Sequence, residues 1–66
     1  MKMTHDPSVD VVRILFNDRP VAESDEEKPG MILDYDAAGN VVGMEILQAS
    51  RRMEQPGAVE FAVAGG

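Results

Sequence analysis

Sixty-six residues without a cysteine make one small domain at most, one that neither a disulfide nor a cysteine-based zinc site can staple. Twelve acids against six bases leave a net charge of −6, which excludes the nucleic-acid and anionic-membrane binders, whose affinity comes largely from Lys and Arg. A chain this short buries only about 60% of its unfolded surface. With 44% apolar residues, what remains to stabilise it is good packing and self-association.

MKMTHDPS, residues 1–8, is polar and broken by Pro7, and reads as an N-terminal arm. No apolar run there resembles a signal peptide, and nothing in the chain approaches the ~20 apolar residues of a membrane span, so a cytoplasmic setting is expected. DVVRILF, residues 10–16, is β-branched and apolar, a strand signal. Val12, Ile14 and Phe16 point one way and Val11, Arg13 and Leu15 the other, so both faces are largely apolar. NDRP, residues 17–20, is a turn, and VAES, residues 21–24, is expected to pair briefly with that first strand. ESDEEK, residues 23–28, holds four acids and reads as a solvated edge or loop. Pro29-Gly30 predicts a bulge or bend in any strand that crosses it.

MILDY (residues 31–35) and VVGMEIL (41–47) are the clearest strands, joined by D-A-A-G-N. Asp36 is placed to cap the turn amides and Gly39 to take φ > 0. If Asp36 faces Asn40, Tyr35 pairs with Val41, Leu33 with Gly43, and Met31 with Glu45, while Asp34 meets Val42 and Ile32 meets Met44. Gly43 then leaves a hole that Tyr35 could cover. QASRRME, residues 48–54, favours one to two helical turns, with Ser50 as the N-cap hydroxyl and Pro56-Gly57 as the stop. Residues 54–66 form a C-terminal extension in which Val59, Phe61 and Val63 alternate. That segment reads equally as a last strand, added in cis or across a dimer, and as a loose tail.

Residues 34–45, DYDAAGNVVGME, imitate a calcium loop through Asp34, Asp36, Gly39 and Glu45. The fifth position, however, is Ala38, and the flanks are strand-like where an EF-hand needs helices. In a hairpin Asp34 and Asp36 point to opposite faces, and Glu45 lies far along the next strand. No metal site is therefore assigned, and Asp34 and Glu45 are expected to be polar groups on the sheet faces. His5, Asp6 and Asp10 lack a third and fourth ligand at fixed spacing, so His5 is read as solvated. Ser50 lacks a base, the single histidine being in the arm. Adjacent Arg51 and Arg52 read as salt-bridge or interface groups. Met31, Met44 and Met53 belong in or beside a core.

DYDAAGNVVGMEILQASRR, residues 34–52, resembles the segment D-Y-D-x-x-G-x-[VI]-V-G-[IM]-E-[IL]-L-x-A-S-[KR] of domain-of-unknown-function family 2283, a group of small prokaryotic proteins. VAES and PG upstream also match, so the resemblance spans roughly residues 6–52. It departs at His5, where Tyr is common, and at Val11-Val12, where Leu and Tyr are usual; both changes trim aromatic packing. The resemblance implies a small antiparallel sheet with a short helix and no established activity. It also implies that some relatives are the smaller partner in two-gene, toxin–antitoxin-like arrangements.

The expectation is thus one α+β domain over residues 1–66: an antiparallel meander of three to four strands, then a short helix, with the C-terminal strand left open. The expected function is a non-enzymatic interaction module, homodimeric through one buried sheet face, and a regulatory or antitoxin-like partner of a basic protein encoded nearby. No catalytic, cofactor-binding or metal residue is assigned. The alternatives are a small-ligand or metal-binding protein using Asp34 and Glu45, and an acid–base enzyme using Asp34, Glu45 or His5.

Overall fold

A computed structural model describes residues 1–65. Five antiparallel strands form one sheet: β1 (Lys2–Asp6), β2 (Val11–Leu15), β3 (Glu23–Lys28), β4 (Met31–Tyr35) and β5 (Val41–Leu47), followed by the single-turn helix α1 (Ala49–Arg52). The α+β antiparallel expectation holds, with more strands than the three to four anticipated. The spatial order is β1-β2-β5-β4-β3, so the sheet is not a meander. After β2 the chain crosses to the far edge and returns through β4 to place β5 beside β2.

The extra strand is the segment expected to be an arm. Lys2 to Asp6 pair antiparallel with Leu15 to Val11. Its alternation is faint because only Met3 and His5 are half-buried, while Lys2, Thr4 and Asp6 are exposed. The segment expected to pair with the first apolar strand pairs elsewhere: Glu23 lies opposite Tyr35, and Ala22 N–H donates to Tyr35 O. The acidic run is an edge strand, exposed along its length, with a register shift between Glu26 and Lys28 beside Pro29-Gly30.

The β4–β5 turn is built as its residues dictate. Asp36 Oδ1 accepts the N–H of Ala38 and of Asn40, at 3.0 and 2.9 Å. Gly39 has φ +85, where a Cβ would be strained. Beyond the turn the register differs from the simple hairpin. Tyr35 pairs with Val41 as expected, but Asp34 then meets Gly43, Leu33 meets Met44, Ile32 meets Glu45 and Met31 meets Ile46. Val42 is the extra residue of a β-bulge, which moves every later partner by one. The Gly43 side is consequently no hole for Tyr35: a Cβ there would lie 2.8 Å from Ile14 O and 3.5 Å from Asp34 Oδ2.

Alternation and register define two faces. One carries Met3, Val12, Ile14, Leu33, Met44 and Ile46, and receives α1. Val12 and Ala49 are fully buried and Ile46 nearly so, with Met44 and Met53 packed against them; Met31 is half-buried. The opposite face carries Arg13, Gly43, Glu45 and Asp34 together with the half-buried Val11, Leu15, Ile32 and Leu47, so it too is apolar in part. One helical turn covers only the Val12–Ile46 end of the apolar face, so Ile14, Leu33 and Met44 stay half-exposed. Residues 58–64, left open between strand and tail, form no strand.

Candidate functional site

Asp10 ties the two ends of the fold together. It closes the β1–β2 connection at φ 56, a left-handed conformation that Asp tolerates better than most residues. Its carbonyl accepts Ala49 N–H, and its carboxylate accepts Ser50 N–H at 3.1 Å and the Ser50 hydroxyl at 2.5 Å. Ser50 was expected to cap α1. Instead Gln48 occupies that position with no side-chain cap, and Asp10 supplies the capping oxygens from another part of the chain. His5 completes the group, with Nε2 3.2 Å from Asp10 Oδ1. It is largely covered rather than solvated.

The chemistry of this cluster is that of an anchor. The carboxylate stands between the imidazole and the hydroxyl, so the Ser50 proton points at Asp10 and not at a histidine base. Bonding from the Ser50 side chain, then from His5, holds the Asp10 carboxyl below its ordinary value, which weakens it as a proton acceptor. Asp6 faces away, its Oδ1 accepting both Ser8 N–H and the Ser8 hydroxyl; these bonds lower its own pKa. His5, Asp6 and Asp10 therefore do not gather round one point.

The acids of the calcium-like segment also diverge. Asp36 is engaged in its own turn, where the Asn40 amide, above all, holds its carboxyl below the ordinary value. Glu45 lies 3.7 Å from Arg13, a polar pair on the sheet face as expected. Asp34 departs from expectation: it is 2% exposed, accepts the Ser24 hydroxyl at 2.6 Å through Oδ1, and leaves Oδ2 without a partner beside the Gly43 backbone. The bulge puts Asp34 and Glu45 on one face, yet each is already engaged by a different neighbour. Among the described residues no group of three His, Cys, Asp or Glu side chains is placed to hold a metal ion.

The arginines differ in role. Arg52 Nε donates to Leu47 O at 3.0 Å, and its guanidinium lies over Gly30, whose carbonyl accepts Leu47 N–H. It is an exposed clamp on the β3–β4 turn, bonded to backbone and not in the ion pair expected. The Tyr35 hydroxyl donates to Glu27 Oε1 at 2.7 Å, which pushes its pKa up to about 12. Asp10 as a cap escaped sequence reasoning because Ser50 lies forty positions away, and Arg52 as a clamp because the Gly30 turn it covers is distant in the chain.

Two surface features stand out. The helix-bearing face leaves Phe16 and Val41 exposed, and Ile14, Leu33 and Met44 partly so. The β3 edge presents Glu23, Asp25, Glu26 and Glu27 together. No helix among the described residues is long and apolar enough to cross a membrane. No curated protein and no solved structure matches the chain. The family model described as "Protein of unknown function (DUF2283)" matches residues 2–50 and so takes in β1. With the whole sheet and the start of α1 inside that match, the chain belongs to the DUF2283 family.

Proposed function

We propose that this chain is a non-enzymatic interaction module whose apolar sheet face is completed by a second copy, acting as a regulatory or antitoxin-like partner. The observation that carries the reading is the surface left uncovered. The chain exposes 5018 Å² at a mass of 7.2 kDa, against about 4,100 Å² for a compact monomer of that size. The excess, about 900 Å², comes from the partly covered sheet face and from the projecting Val59, Phe61 and Val63 together, and is close to the ~800 Å² that each partner gives to a standard interface. The radius of gyration agrees, at 12.9 Å against about 10.8 Å for a compact fold of this length.

The acidic β3 edge fits a basic partner, since four carboxylates on one exposed strand attract Lys- and Arg-rich surfaces and discourage edge-to-edge pairing with like copies. A cytoplasmic setting suits a chain without cysteine. The ligand-binding alternative is less well supported, because Ser24 and Arg13 already engage Asp34 and Glu45.

Sedimentation equilibrium across a dilution series tests the reading. A mass approaching twice 7.2 kDa that falls on dilution is expected. A constant 7.2 kDa at every concentration contradicts it.

A further inference from the structure

The C-terminal segment and the β1 edge are each unfinished in a way that the other completes. Residues 58–64 alternate Val59, Phe61 and Val63 with Ala and Glu60. Ala58 N–H closes a turn onto Gln55 O, itself at φ 46, and among the described residues 59–65 no backbone hydrogen bond follows. Exposure rises along the segment from 64% at Val59 to 77% at Phe61 and 82% at Val63. The chain therefore leaves its own body as it proceeds. Val59 still lines a shallow groove with Met3 and His5 of β1 and with Pro7 just after it, while the later residues are farther out in solvent. β1 meanwhile has β2 on one side and no strand on the other.

We infer that residues 58–64 add as an antiparallel strand to the β1 edge of a second copy, in a reciprocal exchange. This rests on the self-association proposed above and names a segment that carries it. Three features select that edge and that occupant. Charge comes first: Glu60 would meet four carboxylates on the β3 edge, whereas the β1 edge carries Lys2 and a single acid, Asp6, on the face that Glu60 would take. Alternation comes second: a strand beside β1 can set Val59, Phe61 and Val63 on the face of Met3, extending the Met3–Ile14–Met44 row. Length comes third: seven residues span the five of β1. The divergence from the body favours a neighbouring copy over the chain's own β1. Exchange in both directions closes the pair and covers the β1 edge of each copy, leaving the charged β3 edges free. It also buries three large apolar side chains per copy that contribute to the surface excess.

The test compares the full chain with a chain ending at Gly57 and with Phe61→Ser, by sedimentation and by NMR on a mixture of differently labelled copies. Both variants are expected to dissociate at ~tenfold or higher concentration, the effect of losing at least one buried apolar side chain, with unchanged circular dichroism of the sheet. Contacts between the Phe61 ring and the Met3 methyl are expected between copies. If the shortened chain pairs as tightly as the full one, the exchange is wrong although self-association stands. If the ring–methyl contacts arise only within one copy, the strand docks in cis and the exchange is likewise wrong. If the full chain is monomeric throughout, both readings fall.

Discussion

Ser50 donates its backbone N–H and its hydroxyl to the carboxylate of Asp10, forty positions earlier in the chain. That contact fastens α1 to the β1–β2 connection, so the helix, only four residues long, is held by tertiary bonding and not by helix propensity. Asp10→Asn keeps an acceptor and tolerates the left-handed backbone, so it is expected to lower the urea midpoint less than Asp10→Ala, which loses both. Equal midpoints for the two variants would show that the bond contributes nothing.

The same carboxylate sets an acid limit. Asp10, Asp36 and Asp6 all have folded pKa values below the ordinary 3.8. Their stabilisation is therefore fully present above the unfolded value and is lost as pH falls through the folded one. Unfolding free energy should decline from about pH 5 downward, and the gap between the parent chain and Asp10→Asn should narrow over the same range. A gap that does not change with pH contradicts this.

Tyr35 gives the opposite sign at the alkaline end. It is the chain's single tyrosine, so its ultraviolet titration is unambiguous. The bond to Glu27 raises it to about 12 from 10.0, so that contribution is present below the unfolded value and is lost as pH rises through the folded one. Glu27→Gln should bring the titration back toward 10.0. No movement would mean that the hydrogen bond is not populated in solution.

Gly43→Ala is expected to destabilise the fold by about 2–3 kcal/mol, because a Cβ at 2.8 Å from Ile14 O collides with backbone that cannot swing aside. Gly30→Ala meets the Arg52 guanidinium at 2.5 Å, a movable group, so its cost of about 1–2 kcal/mol comes mainly from φ +78. Urea unfolding of the two variants, and of Gly30→Ala combined with Arg52→Ala, separates the effects. The Arg52 change should recover only the smaller, steric part of the Gly30 loss.

The hairpin could be read from its residues because its information is local. D-A-A-G-N encodes its own turn, and Met31 to Tyr35 and Val41 to Leu47 encode their strands. The register could not, because Val41 and Val42 are chemically alike and nothing in the text marks which one bulges. β1 was missed because an edge strand with two inward residues, one of them His5, carries almost no period-two signal. The crossing from β2 to β3 was missed because VAES pairs equally well on composition with either apolar strand. Burial of Asp34 followed from the shifted register, which sets it over a glycine backbone.

In the proposed dimer the helix-bearing face of each copy meets the other. Ile32 and Leu33 are adjacent, both half-buried, and lie on opposite faces, so they form a matched pair. Light scattering on Leu33→Glu and Ile32→Glu at equal concentration decides the matter most directly. Leu33→Glu should leave a monomer with its sheet intact while Ile32→Glu stays paired; dimers of equal strength from both, or dissociation by Ile32→Glu alone, would contradict the account.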